Sequence, residues 1–160
     1  FLPLLYEAVS PPGNIDKFRS RVREEMSALR FTRTALPGAV ELLERLKGEG
    51  YRLAVISNND GYTVEKCEEV GIKDYFDHIF DSTLLNLIKP DPRIFEYAAE
   101  RCGISPSEAV HVGDMFGSDV MGGRDAGLDV IWFNARNAPR PDVPRVREAG
   151  SLAEVADLIG

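Results

Sequence analysis

An α/β fold built on a parallel sheet is the class this sequence predicts, and three observations predict it. Short, nearly all-apolar runs recur past residue 36, longer stretches of helical periodicity separate them, and polar or glycine-bearing turns follow them. Near-continuous apolarity suits strands covered on both faces, and this alternation joins parallel strands through helical crossovers. Composition agrees: 160 residues, 44% of them apolar, have room for one ordinary core. With 19 basic residues against 26 acidic ones, the formal charge of −7 argues against nucleic acid and anionic membranes as partners. No apolar run reaches the ~20 residues that span a bilayer, and residues 1–6 lack the length and positive flank of a signal peptide. Two cysteines, Cys67 and Cys102, are too few for a disulfide scaffold and read as reduced thiols in helices. A cytoplasmic protein is expected.

The elements follow in order. Residues 14–30 read as one charged amphipathic helix, with Ile15, Phe18, Val22, Met26 and Leu29 recurring at three and four. Pro37 opens the next helix where no backbone donor is lost, and Gly48 and Gly50 stop it. Residues 52–57 form the first strong strand, a helix starts near Tyr62, and residues 78–80 form the second strand. Asp91 caps a helix begun by Pro92, whose stripe of Ile94, Phe95, Ala98, Ala99 and Cys102 ends at Gly103. Ser105 and Glu108 make a capping box, and residues 109–112 and 128–133 supply two more strands. Residues 134–147 hold Pro139, Pro141 and Pro144 with Arg136, Arg140, Arg145 and Arg147, and read as a surface loop. Residues 151–159 read as a closing helix.

Ligands of an open parallel sheet bind at the carboxyl ends of its strands. Three polar features fall there. Ser57 ends the first strand and is followed by Asn58; its hydroxyl suits an anion such as phosphate, or else caps the helix that starts near Tyr62. Lys89 stands between Ile88 and a rigid Pro-Asp-Pro turn, where its ammonium can neutralise a phosphate or hold a carboxylate ionised. Asp114 and Asp119 follow the strand 109–112 in a glycine-dense stretch, so both carboxylates can face one small space, as a hard cation such as Mg²⁺ requires, or else both are capping aspartates. The alternating ligands of an EF-hand and the Gly-Lys-Ser/Thr of a Walker A loop are both missing. His78 and His111 read as an edge residue and a sheet residue.

In this order, Ser57, Lys89 and Gly113-Asp114-x-x-x-x-Asp119 resemble motifs II, III and IV of the haloacid dehalogenase (HAD) superfamily. The likeness runs over about residues 34–135. It takes in Leu36-Pro37-Gly38, Tyr75-Phe76-Asp77, Lys89-Pro90-Asp91-Pro92 and Ala126-Gly127, and is nearest to the subfamily I branch with a helical cap. The resemblance implies a Rossmann-like core over residues 34–160, with residues 1–33 as the last part of a cap or as a degenerate first strand and a helix. It implies that Ser57, with the Asn58 backbone, holds phosphoryl oxygens and that Lys89 neutralises the transferring group. Asp114 would be a Mg²⁺ ligand, and Asp119 would support the metal's water shell or orient Lys89. The implied activity is Mg²⁺-dependent hydrolysis of a small phosphorylated metabolite through an aspartyl-phosphate. The branch that cleaves 2-haloacids lacks the acid matching Asp114.

The family's first motif, Asp-x-Asp-x-Thr/Ser, occurs nowhere in these 160 residues. The nearest register, residues 4–10, puts Tyr6 and Ala8 where the aspartates belong, and neither can act as nucleophile or general acid. Two expectations follow. Either this is the back portion of a longer hydrolase, inactive alone, or it is a catalytically dead relative that binds phosphate or a partner. The family's first strand lies between the strands ending in Ser57 and Asp114. That slot would be filled by residues 1–6, by a segment swapped from another copy in a homodimer, or by direct pairing of its neighbours.

Overall fold

The apolar runs become strands, and every strand pairing is parallel. A computed structural model describes residue 21, residues 34–139 and residues 141–159. Apart from Arg21, the expected helix over 14–30 and the candidate strand in residues 1–6 lie outside the described residues, as does Arg140. In chain order come α1 (Ala39–Gly48), β1 (Ala54–Ser57), α2 (Thr63–Glu69), β2 (His78–Asp81) and the short α3 (Ser82–Leu85). Then follow α4 (Pro92–Cys102), β3 (Val110–Gly113), a π-helical turn (Phe116–Val120) and α5 (Met121–Asp125). The series closes with β4 (Asp129–Phe133), β5 (Val146–Ala149) and α6 (Leu152–Ile159). Short 3₁₀ turns at Lys73–Tyr75 and Pro106–Glu108 precede β2 and β3.

The helix signals hold in detail at α4. Asp91 accepts from the Arg93 N–H at 3.0 Å, and Ile94, Phe95, Ala98 and Ala99 are the buried stripe. Helix α2 differs from expectation, because Ser57 does not cap it. The buried Asp81 carboxylate, from the end of β2, accepts instead from the N–H groups of Gly61 and Thr63 and from the Thr63 hydroxyl. A capping group can thus come from a distant strand, which no local pattern reveals.

One continuous sheet was expected; among the described residues there are two, β1-β2 and β3-β4-β5. Direct pairing of β1 with β3 is thereby excluded. Ladder alternation explains what each free edge exposes. The Asp77 N–H donates to Leu53 O at 2.8 Å, so the intervening Ala54 and Ile56 turn their backbone groups away from β2. Likewise the Asp129 N–H donates to Ala109 O, leaving Val110 and Val112 directed away from β4. Helix α4 packs against β1, and its Phe95 ring meets the His111 ring on β3 edge-to-face at 5.0 Å, so one helix touches both sheets.

Strand β5 corrects the reading of residues 134–147 as loop throughout. Val146 and Arg147 belong to a strand whose Val146 lies beside Val130 and whose Ala149 lies beside Phe133. The core centres on its neighbour β4. Ile131 packs with Ala149 and Val155 on one face, while Val130 and Trp132 pack with Val120 and Val146 on the other.

Candidate functional site

Ser57 and Asn58 stand at the carboxyl end of β1 and Asp114 and Asp119 follow β3, and Lys89 joins the two sides through Asn58 and Asp119. Ser57 is the last residue of β1 and makes no side-chain hydrogen bond to another described residue. Its two neighbours both hold Lys89. The Lys89 ammonium donates to Ile56 O at 2.6 Å, on the open edge of β1. The Asn58 side chain accepts from the Lys89 N–H at 2.8 Å and donates to the Lys89 carbonyl at 2.9 Å.

From the other side Asp119 meets the same ammonium, its Oδ1 lying 2.6 Å from Lys89 Nζ. Both side chains are withdrawn from solvent, with 10% and 6% of their surface exposed. Asp119 reaches this place through its own turn. Its N–H donates to Met115 O at 2.7 Å, and its Oδ2 accepts from the Met115 N–H at 2.9 Å. The turn folds so closely on β3 that a Cβ at Gly113 would collide with the Asp119 side chain, which is why glycine precedes Asp114. Gly122 answers a second close approach: a Cβ there would lie 2.7 Å from the Phe95 ring and 2.9 Å from the Pro90 backbone.

Burial pushes the Asp119 carboxyl up, but the His111 imidazole, the Lys89 ammonium and the Met115 N–H together outweigh it and hold the group well below the usual carboxylate range. His111 Nε2 is 3.7 Å from Asp119 Oδ1, a polar neighbour rather than a formed hydrogen bond. His111 Nε2 is buried and makes no hydrogen bond among the described residues, whereas Asp119 Oδ1 has the Lys89 ammonium as its close partner. The sequence reading placed His111 in the sheet and missed this contact. Its signal was available: two residues before Gly113 on a strand puts His111 and Gly113 on the same face.

Asp114 differs from Asp119. It is exposed, its main-chain carbonyl accepts from Trp132 Nε1 at 3.1 Å, and no described residue pairs with its carboxylate. A free carboxylate here fits one position of a Mg²⁺ shell, an ion that commonly takes one or two protein carboxylates, with water and substrate oxygens as further ligands. The Asp119 oxygens are turned to Lys89 and Met115. Among the described residues no group of three or more His, Cys, Asp and Glu side chains is placed to hold a metal. Nor is any helix among them long and apolar enough to cross a membrane.

Chemically, the assembly offers a free hydroxyl at Ser57, an anchored ammonium at Lys89 and a free carboxylate at Asp114. Comparison with known proteins bears on what that assembly serves. A family model described as haloacid dehalogenase-like hydrolase matches residues 7–127. The pyrimidine 5'-nucleotidase YjjG of Escherichia coli is 35% identical over 129 residues, covering 79% of this chain and 57% of its own length. The (S)-2-haloacid dehalogenase 4A of Burkholderia cepacia is 31% identical over 133 residues, covering 79% of this chain and 55% of its own. A crystal structure of a HAD phosphatase from Thermococcus onnurineus superposes with a TM-score of 0.73 at 35% identity, over 79% of this chain and 58% of that one. The chain spans about half the length of the curated relatives it matches.

Proposed function

Because the chain belongs to the haloacid dehalogenase-like hydrolases, we propose that its site receives the phosphoryl group of a small phosphate monoester as part of a Mg²⁺-dependent phosphatase. The observation that carries this reading is Lys89. Its ammonium is fixed between Ile56 O and Asp119 Oδ1, 2.6 Å from each, and Ile56 is the residue before Ser57. A cation anchored on two acceptors cannot retreat into solvent, so its remaining hydrogen-bonding capacity faces whatever anion enters.

In this reading Ser57 Oγ donates to a phosphoryl oxygen, and Lys89 balances the charge that develops on that group. Asp119 keeps the ammonium aimed. Asp114 would hold Mg²⁺ in part, the ion supplying charge neutralisation at the phosphoryl oxygens. Asp114 also supports phosphate esters over haloacids, because the haloacid-cleaving branch lacks an acid there. These 160 residues contain no Asp-x-Asp, so the nucleophile and general acid come from outside them, on a strand entering between β1 and β3.

A second reading, a relative that binds phosphate without turnover, is favoured by the same missing motif. One experiment separates the two. The 160-residue chain is titrated with inorganic phosphate and assayed with para-nitrophenyl phosphate and Mg²⁺, then the assay is repeated on the product of the whole reading frame. The expected outcome is phosphate binding by the chain, lost in Lys89→Met, with turnover only in the longer product. Absence of phosphate binding overturns the site assignment, and inactivity of a longer product that carries Asp-x-Asp overturns the enzyme reading.

A further inference from the structure

The segment that carries Lys89 belongs to no helix or strand. It lies between α3 and α4, and the residue after it, Pro90, has no N–H to give. Within the segment the backbone bonds are local, Leu87 N–H to Ser82 O and Asp91 N–H to Ile88 O. The two main-chain polar groups of Lys89 itself go elsewhere. Both are taken by the side chain of one residue 31 positions earlier, Asn58, at 2.8 and 2.9 Å. A carboxamide presents a donor and an acceptor side by side in one plane, as a peptide group does, so Asn58 acts on Lys89 as a one-residue strand partner.

The placement matters because of what lies between the two grips. Ile56 O holds the far end of the Lys89 side chain and Asn58 holds its backbone, so the lysine straddles Ser57. The Asn58 loop is itself anchored. Asn59 N–H donates to the Ser82 hydroxyl, the Asn59 carbonyl accepts from the Thr83 hydroxyl at 2.6 Å, and Lys66 donates to the Asp60 carboxylate at 2.7 Å.

We propose that Asn58 is the positioning residue of this site, its side-chain amide setting Lys89 in register with Ser57. This adds a side-chain role to the expectation that the Asn58 backbone stands beside Ser57 at the phosphate. The functional consequence rests on the phosphate reading above, whereas the clamp itself does not. Only an amide serves. Aspartate keeps the acceptor but sets a carboxylate oxygen against the Lys89 carbonyl, and alanine leaves both groups to solvent.

The test uses the full 160-residue chain labelled with ¹⁵N-lysine. The signal sought is the slowly exchanging ammonium of Lys89, assigned by its disappearance in Lys89→Met. Amide protection in β4 serves as the control for folding. In Asn58→Ala and Asn58→Asp the Lys89 ammonium should exchange about tenfold faster while β4 stays protected. The affinity for inorganic phosphate should fall by roughly three- to tenfold. Exchange within about twofold of the parent in both variants overturns the proposal, as does joint loss of β4 protection, which makes Asn58 a general stabiliser. If phosphate fails to shift the parent's Lys89 signal while the variants still release it, the phosphate reading falls and the clamp stands.

Discussion

Strands β4 and β1 come from runs of nearly equal apolarity, yet they sit in different surroundings. Strand β4 is paired on both edges, and Val130, Ile131 and Trp132 are all buried. Among the described residues, strand β1 has a partner on one edge only: Ala54 is exposed, and Val55, Ile56 and Ser57 are half-buried. On β3, Val110 keeps 40% of its surface. The edges of β1 and β3 left unpaired among the described residues are where the candidate site lies, whereas the middle of the doubly paired β4 is fully buried. The Lys89 ammonium, donating to Ile56 O, satisfies a backbone acceptor that a strand would otherwise take.

That contrast can be broken most sharply at its buried end. Ile131→Ala should cost about 4 kcal/mol in denaturant unfolding, because the fully enclosed side chain leaves a cavity that β5 and α6 cannot close. Asp119→Asn comes next, at roughly 3 kcal/mol, since it leaves the Lys89 ammonium buried without its anion. The same variant sharpens the comparison through pH. Asp119 is held below the ordinary 3.8, so its contribution is complete above about pH 4 and is lost as pH falls through the folded-state value. An acid titration of stability should therefore be shallower in Asp119→Asn than in the parent. Gly122→Ala should cost about 2 kcal/mol by overpacking against Phe95 and Pro90, and should loosen the Lys89 turn in the same stroke. At the open edge, Val110→Ala should change stability by about 0.5 kcal/mol or less, measured in the same unfolding series. A loss there approaching that of Ile131→Ala would contradict the contrast between β4 and those edges.

The resemblance that named the family was legible because motifs are local and ordered. Ser57, Lys89, Asp114 and Asp119 each follow a run or a turn that pattern alone identifies, and helix α4 announced itself through its cap, stripe and closing glycine. Strand β5 was not legible. Val146-Arg147-Glu148-Ala149 carries two charges in four residues, with no apolar run to mark it. It becomes a strand because β4 offers an edge, and Arg147 finds the Leu158 carbonyl while Asn134 bonds Glu148 at 2.7 Å. His111 likewise reads as an ordinary strand residue until Asp119 folds back over Gly113.

By itself, then, the sequence determined the α/β class, the strand ends and which side chains would stand at them, since periodicity and chain order act over a few residues. Tertiary structure alone decided that Asp81 rather than Ser57 caps α2, that β1 and β3 do not pair, and that Asn58 spends its amide on Lys89. Each of those outcomes turns on donors and acceptors some 18 to 31 residues or more apart finding one another, and such partners are chosen by packing rather than by any spacing along the chain.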